Sequence, residues 1–185
     1  MTHRLAALAL AAALTACAGP PLTLYTLAPD APAPETPATP QTVIAVARVS
    51  IPDALDTQDI LVRDGATLKR SSTSRWAERL SLGITDLIAA QLAVQNPQAL
   101  VTDQPQAGPV TTRLAINISQ LDVTSAGSVT LAADWTWTPA NPNLPLRRAR
   151  TRITLNAATA TDAAAVQALR DAVVALAGRI GAVGG

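Results

Sequence analysis

The sequence predicts an α+β domain, a mostly antiparallel sheet with two long helices packed on one face. An apolar N-terminal leader and a Pro-rich segment precede it. Three observations carry this expectation. Several short runs alternate apolar and polar residues, the period of half-buried strands. Two longer runs repeat apolar residues at steps of three and four, as a helix lying on a core does. The order of the runs, β-ββ-α-βββ-α, groups strands as neighbours in sequence and favours antiparallel pairing.

The N-terminus comes first. Met1 to Arg4 form a short basic stretch, and Leu5 to Leu14 contain only Leu and Ala. That run is far shorter than the ~20 apolar residues needed to span a bilayer, and it fits the apolar region of a secretory signal. It ends in Leu14-Thr15-Ala16-Cys17. This resembles the lipobox of bacterial lipoproteins, which implies acylation of Cys17 as the first mature residue. Cys17 is the only cysteine of the chain. The domain plan is therefore a signal peptide at 1–16, a lipidated N-terminus and Pro-rich tether at 17–41, and one α+β domain at 42–185.

Residues 28–41 hold five prolines, which preclude a helix or a central strand. Just before them, Leu22-Thr23-Leu24-Tyr25-Thr26-Leu27 alternates as a short strand would. If that strand docks, the Pro-rich segment is a surface excursion; if not, it is a free tether. Both readings stay open at this stage.

Val43 to Val49 reads as a strand that Ser50-Ile51-Pro52-Asp53 ends. Ile60 to Arg63 runs into Asp64-Gly65, a hairpin signal, with Ala66 to Lys69 as the return strand. Ser74 is placed to cap a helix from about Arg75 to Gln95, whose apolar face is Trp76, Leu80, Ile84, Leu87 and Ile88. Gly83 beside that stripe allows close approach to a sheet. Leu114, Ile116 and Ile118 alternate with polar residues, and the apolar phase then shifts to Leu121 and Val123. A bulge near Ser119-Gln120 accounts for the shift. Val129, Leu131, Ala133, Trp135 and Trp137 share a face of the next strand, and Ile153 and Leu155 belong to the last. Val166, Leu169, Val173, Leu176 and Ile180 define a final helix capped by Thr161 or Asp162.

The 185 residues include no Phe, one Tyr and three Trp, so Leu, Ile, Val and Ala must build the core. A net charge of +1 gives no general pull toward nucleic acid. The only His is His3, which the signal peptidase would remove with the leader. Ser-His-Asp and Cys-His catalysis and a Cys/His zinc site are then out of reach. No enzyme activity, metal or cofactor is expected.

Two polar constellations remain. Asp53, Asp56 and Asp59 recur at three-residue steps in a loop. The spacing lacks the turn glycine and bidentate Glu of a calcium loop. Arg147, Arg148, Arg150 and Arg152 form a basic cluster. Arg148, Arg150 and Arg152 lie on one strand face, where Asp134 could partly neutralise them. A solvated surface and a partner- or lipid-binding surface both fit these residues.

The stations together resemble the ABC-type transport auxiliary lipoproteins, the family of PqiC-like paraquat-inducible lipoproteins. Leu24-Tyr25-Thr26-Leu27 is similar to the family's Tyr-Tyr-x-Leu stretch. Val49-Ser50-Ile51-Pro52-Asp53-Ala54-Leu55-Asp56 is similar to its V-x-I-P-x-Y-L-D element, with Ile60-Leu61-Val62-Arg63 following. Arg75-Trp76-Ala77-Glu78-Arg79-Leu80 resembles its R-W-A-E-P-L segment, and Ala133-Asp134-Trp135 occupies the expected strand. Leu24, Ala54 and Arg79 depart from the pattern. The resemblance implies a non-catalytic lipoprotein, anchored in the outer membrane and facing the periplasm. Its implied partners are a periplasmic protein with mammalian-cell-entry (MCE) domains and ABC permease and ATPase subunits. Such systems move lipids or other hydrophobic molecules between the two membranes. An envelope structural or assembly role with other partners is the alternative, and self-association stays open.

Overall fold

The structure, a computed structural model, describes residues 21–29, 34–35, 42–106, 108–157 and 159–184. The signal peptide, Cys17 and most of the Pro-rich segment lie outside the described residues. In chain order the elements are β1 (Thr23–Tyr25), β2 (Thr42–Val46), β3 (Asp59–Asp64), β4 (Thr67–Trp76), α1 (Leu80–Gln95), β5 (Ala99–Thr102), β6 (Thr112–Thr124), β7 (Ser128–Pro139), β8 (Arg147–Asn156) and α2 (Asp162–Gly184).

The strands form one mixed sheet of eight in the order β1-β4-β3-β6-β2-β5, with β7 added to β6 and β8 to β7. The ladders β3/β4, β6/β7 and β7/β8 are antiparallel. Shorter parallel pairings join β1 to β4, β2 to β5 and to β6, and β3 to β6. β6 is the organising strand. One edge pairs with β7 along its length, from Thr112↔Pro139 to Thr124↔Ser128. The other edge meets β2 near its start and β3 at Thr124.

The bulge falls where the apolar phase shift predicts it. The β6/β7 register moves between Ile118 and Gln120, which leaves Ser119 as the extra residue. Leu114, Ile116, Ile118, Leu121 and Val123 consequently all reach the core. The α1 and α2 side chains complete that core, with Ile84, Leu87, Ile88, Leu92, Val173, Leu176 and Ile180 fully buried. α2 packs on α1 and on β7 and β8. α2 thus covers one face of the long ladder, with α1 beside it against β5, and the other face of the ladder is left to solvent.

Three local readings need correction. The first helix begins at Leu80, not Arg75. Ser74, Arg75 and Trp76 belong to β4, where they pair with Thr23, Leu24 and Tyr25 of β1. Long-range pairing and an Asp59–Arg75 ion pair at 2.9 Å outcompete the local capping signal. Trp76 is still buried, at 4% exposure, but from a strand. Second, the hairpin turn is centred on Gly65-Ala66, because Asp64 pairs directly with Thr67. Gly65 takes the positive φ of +58° that this turn needs. Third, Gly83 admits Leu27, which follows β1, and not a strand of the sheet. A Cβ there would sit 3.4 Å from that of Leu27.

β1 docks, and Leu27 is only 1% exposed. The chain on both sides of residues 28–41 therefore belongs to one sheet. No helix among the described residues is long and apolar enough to cross a membrane.

Candidate functional site

The acidic loop before β3 serves the fold. Asp56 accepts the backbone N–H of Ser81 at 3.2 Å, at the second residue of α1. Arg79 precedes the helix and makes no side-chain cap, so Asp56 caps it from a distant loop. Arg48 at 3.3 Å and Arg79 at 3.0 Å complete its set of partners. Burial alone would raise the Asp56 pKa. The hydrogen bonds from the Ser81 hydroxyl and N–H, and the Arg79 guanidinium, outweigh that and hold the carboxyl below its usual value. Asp59 pairs with Arg75 in the β3/β4 ladder. Asp53 alone of the three keeps an exposed side chain.

The basic cluster divides. Register places Arg147 opposite Trp137, on the core face at the end of the ladder. Arg148 lies opposite Thr136, Arg150 opposite Asp134 and Arg152 opposite Ala132, all on the solvent face. Asp134 lies 3.6 Å from Arg150 and also accepts Asn117 Nδ2 at 3.4 Å. Arg152 donates to Gln120 Oε1 at 3.0 Å. Arg113 of β6, opposite Thr138, brings a fourth arginine to this face. The alternation of β6 placed Arg113 on the polar side, but only the three-strand register brings it onto one surface with Arg148. The solvent face of β6–β7–β8 is thus broad, regular and basic. Asp122, farther along it, is engaged by Arg63.

Trp135 and Trp137 are core residues, at 3% and 5% exposure, and among the described residues their indole N–H groups have no hydrogen-bond partner. Within α1, burial, a hydrogen bond with Asp103 and the charges of Asp103 and Glu78 push Asp86 up to about 6. No group of three or more His, Cys, Asp or Glu among the described residues is arranged to hold a metal ion.

Fold and surface together define a small α+β domain that covers one sheet face with helices and presents the other as a basic platform. The chain belongs to the family of ABC-type transport auxiliary lipoprotein components, whose model matches residues 25–181. Two solved structures share the fold. One is an uncharacterized protein at TM-score 0.72 and 16% identity, matched over 88% of this chain and 97% of that one. The other is protein XCC0632 from Xanthomonas campestris at TM-score 0.61 and 18% identity, matched over 85% and 92%. No curated protein matches the chain.

Proposed function

We propose that this lipoprotein is the outer-membrane component of an MCE/ABC-type system that moves lipids or hydrophobic molecules between the inner and outer membranes. It docks the periplasmic part of that system and does no chemistry; ATP hydrolysis belongs to another subunit. The observation that carries the reading is the family match over 25–181, together with an open basic sheet face on the same domain. Cys17 is the acylated anchor. Five residues lie between it and Thr23 of β1, a reach of about 20 Å when extended. The domain then sits close to the membrane, with residues 28–41 linking two strands of one sheet. Arg148, Arg150 and Arg152, joined by Arg113, meet an acidic surface of the MCE-domain partner. Asp53 and Arg147 border other faces, and Asp56 contributes by holding α1.

Affinity purification from native membranes followed by mass spectrometry tests this reading. The MCE-domain protein and the ABC subunits should be recovered with wild type. They should be depleted with Arg148, Arg150 and Arg152 changed to Gln, while stability stays within about 1 kcal/mol because exposed charges add little to folding. Recovery of an unrelated envelope assembly in their place would establish the structural or assembly role instead.

A further inference from the structure

Among the described residues the sheet ends on three strands: β1 with three residues, β5 with four and β8 with ten. The outer edge of such a strand presents a row of backbone N–H and C=O groups that can pair with another chain. Proteins blunt these edges by shortness, bulges, proline or charge. β1 and β5 are short. β8 keeps unbroken register with β7 and contains neither Pro nor Gly. Charge is the device it carries.

The hydrogen bonds fix which residues face that edge. Ala157 N–H donates to Gly127 O at 3.1 Å, one step beyond the Ser128↔Asn156 pair. Antiparallel bonding alternates along a ladder, so Ala149, Thr151, Ile153 and Leu155 bond to β7. On the far side of β7, Ala140 N–H donates to Thr111 O at 2.8 Å, which assigns the even-numbered residues of β7 to β6 and leaves the odd-numbered ones for β8. Arg148, Arg150, Arg152 and Thr154 therefore turn their backbone groups to the outer edge. The same four residues have exposed side chains. Against the three arginines β7 sets a single carboxylate, Asp134, 3.6 Å from Arg150. Antiparallel pairing of two copies of β8 would set Arg150 opposite Arg150 or Arg152, which like charges disfavour. An extended segment with Asp or Glu at every second position would instead set a carboxylate opposite each arginine.

We propose that β8 is a strand-addition site: an acidic, extended segment of the MCE-domain subunit pairs with its outer edge from Arg148 to Thr154. The backbone groups supply the hydrogen bonds and the arginines select the acidic sequence. This rests on the docking reading above and adds to it the mode of contact.

Residue-resolved amide hydrogen exchange tests it, on the full mature lipoprotein in detergent with and without the purified MCE-domain subunit. In the lipoprotein alone the amides of Ala149, Thr151, Ile153 and Leu155 should exchange slowly and those of Arg148, Arg150, Arg152 and Thr154 fast. In the complex the second set should slow by about tenfold or more. Thr154→Pro removes one outward N–H, leaves every arginine and breaks no bond to β7. It should weaken binding about fivefold, the scale of one lost hydrogen bond, while Thr154→Ala binds like wild type. A complex in which the four amides stay fast leaves docking standing and overturns strand addition, as does a folded Thr154→Pro that binds like wild type. Slow exchange of the four amides in the lipoprotein alone would show that a second copy or another part of the chain already covers the edge, and would overturn the proposal. Absence of any complex would overturn the docking reading and this proposal with it.

Discussion

Asp56 and Asp86 are two carboxylates near α1 with opposite electrostatic fates. Asp56 is held below its usual pKa by Ser81 and Arg79 against the effect of burial. A depressed pKa stabilises the fold above the unfolded value and loses that contribution as pH falls through the folded one. Asp56→Ala should therefore cost about 1–2 kcal/mol at pH 7, a lost cap plus weakened ion pairs. Urea midpoints should show the gap closing below about pH 4. Asp86 is pushed up to about 6 by burial, Asp103 and Glu78, so its charged form is disfavoured in the fold. The cost is absent below the unfolded pKa and grows as pH rises through about 6. Asp86→Asn should raise the thermal midpoint at pH 7.5 and leave it unchanged near pH 4. A variant equally stabilised at both pH values would show that the neighbouring acids are not the cause. The sequence placed Asp56 in an acidic loop but gave no hint of its cap, because Ser81 lies 25 residues away.

At the scale of elements, alternation and periodicity were informative wherever one face alone is buried. β6, β7 and α2 emerged from that pattern, and the Ser119 bulge emerged from its interruption. The α1 start did not, because Ser74-Arg75-Trp76 satisfies a cap pattern and a strand pattern equally well. Partners distant in sequence, Asp59 and the β1 residues, decide between them. β5 was missed because Ala99–Thr102 is a four-residue strand without alternation. Trp76 tests the corrected boundary. Its burial beside Tyr25 should make Trp76→Ala cost about 3–5 kcal/mol by chemical denaturation. Gly178 tests α2. It is exposed in the helix, and a Cβ there meets nothing within 4 Å. Gly178→Ala should stabilise by about 0.5–1 kcal/mol, read as a rise of a few degrees in midpoint. A fall would mean that the α2 end packs more tightly than its geometry indicates.

At the scale of the molecule, composition and patterning anticipated an α+β domain, but the strand order was hidden. The placement of β2 and β3 along the same edge of β6 depends on parallel pairings between distant segments. The antiparallel register of β6, β7 and β8 brings Arg113 onto the surface with Arg148, Arg150 and Arg152, and it separates Arg147, which faces the other way. The central claim is that the solvent face of β6–β7–β8 meets the transporter while the helical side does not. Site-specific photo-crosslinking in intact cells tests it most directly, with the photoreactive residue at position 148 or at exposed position 82 of α1. The account predicts an adduct between position 148 and the MCE-domain subunit, with none from position 82. Adducts from position 82 alone, or no adduct with any transporter subunit from position 148, would contradict it.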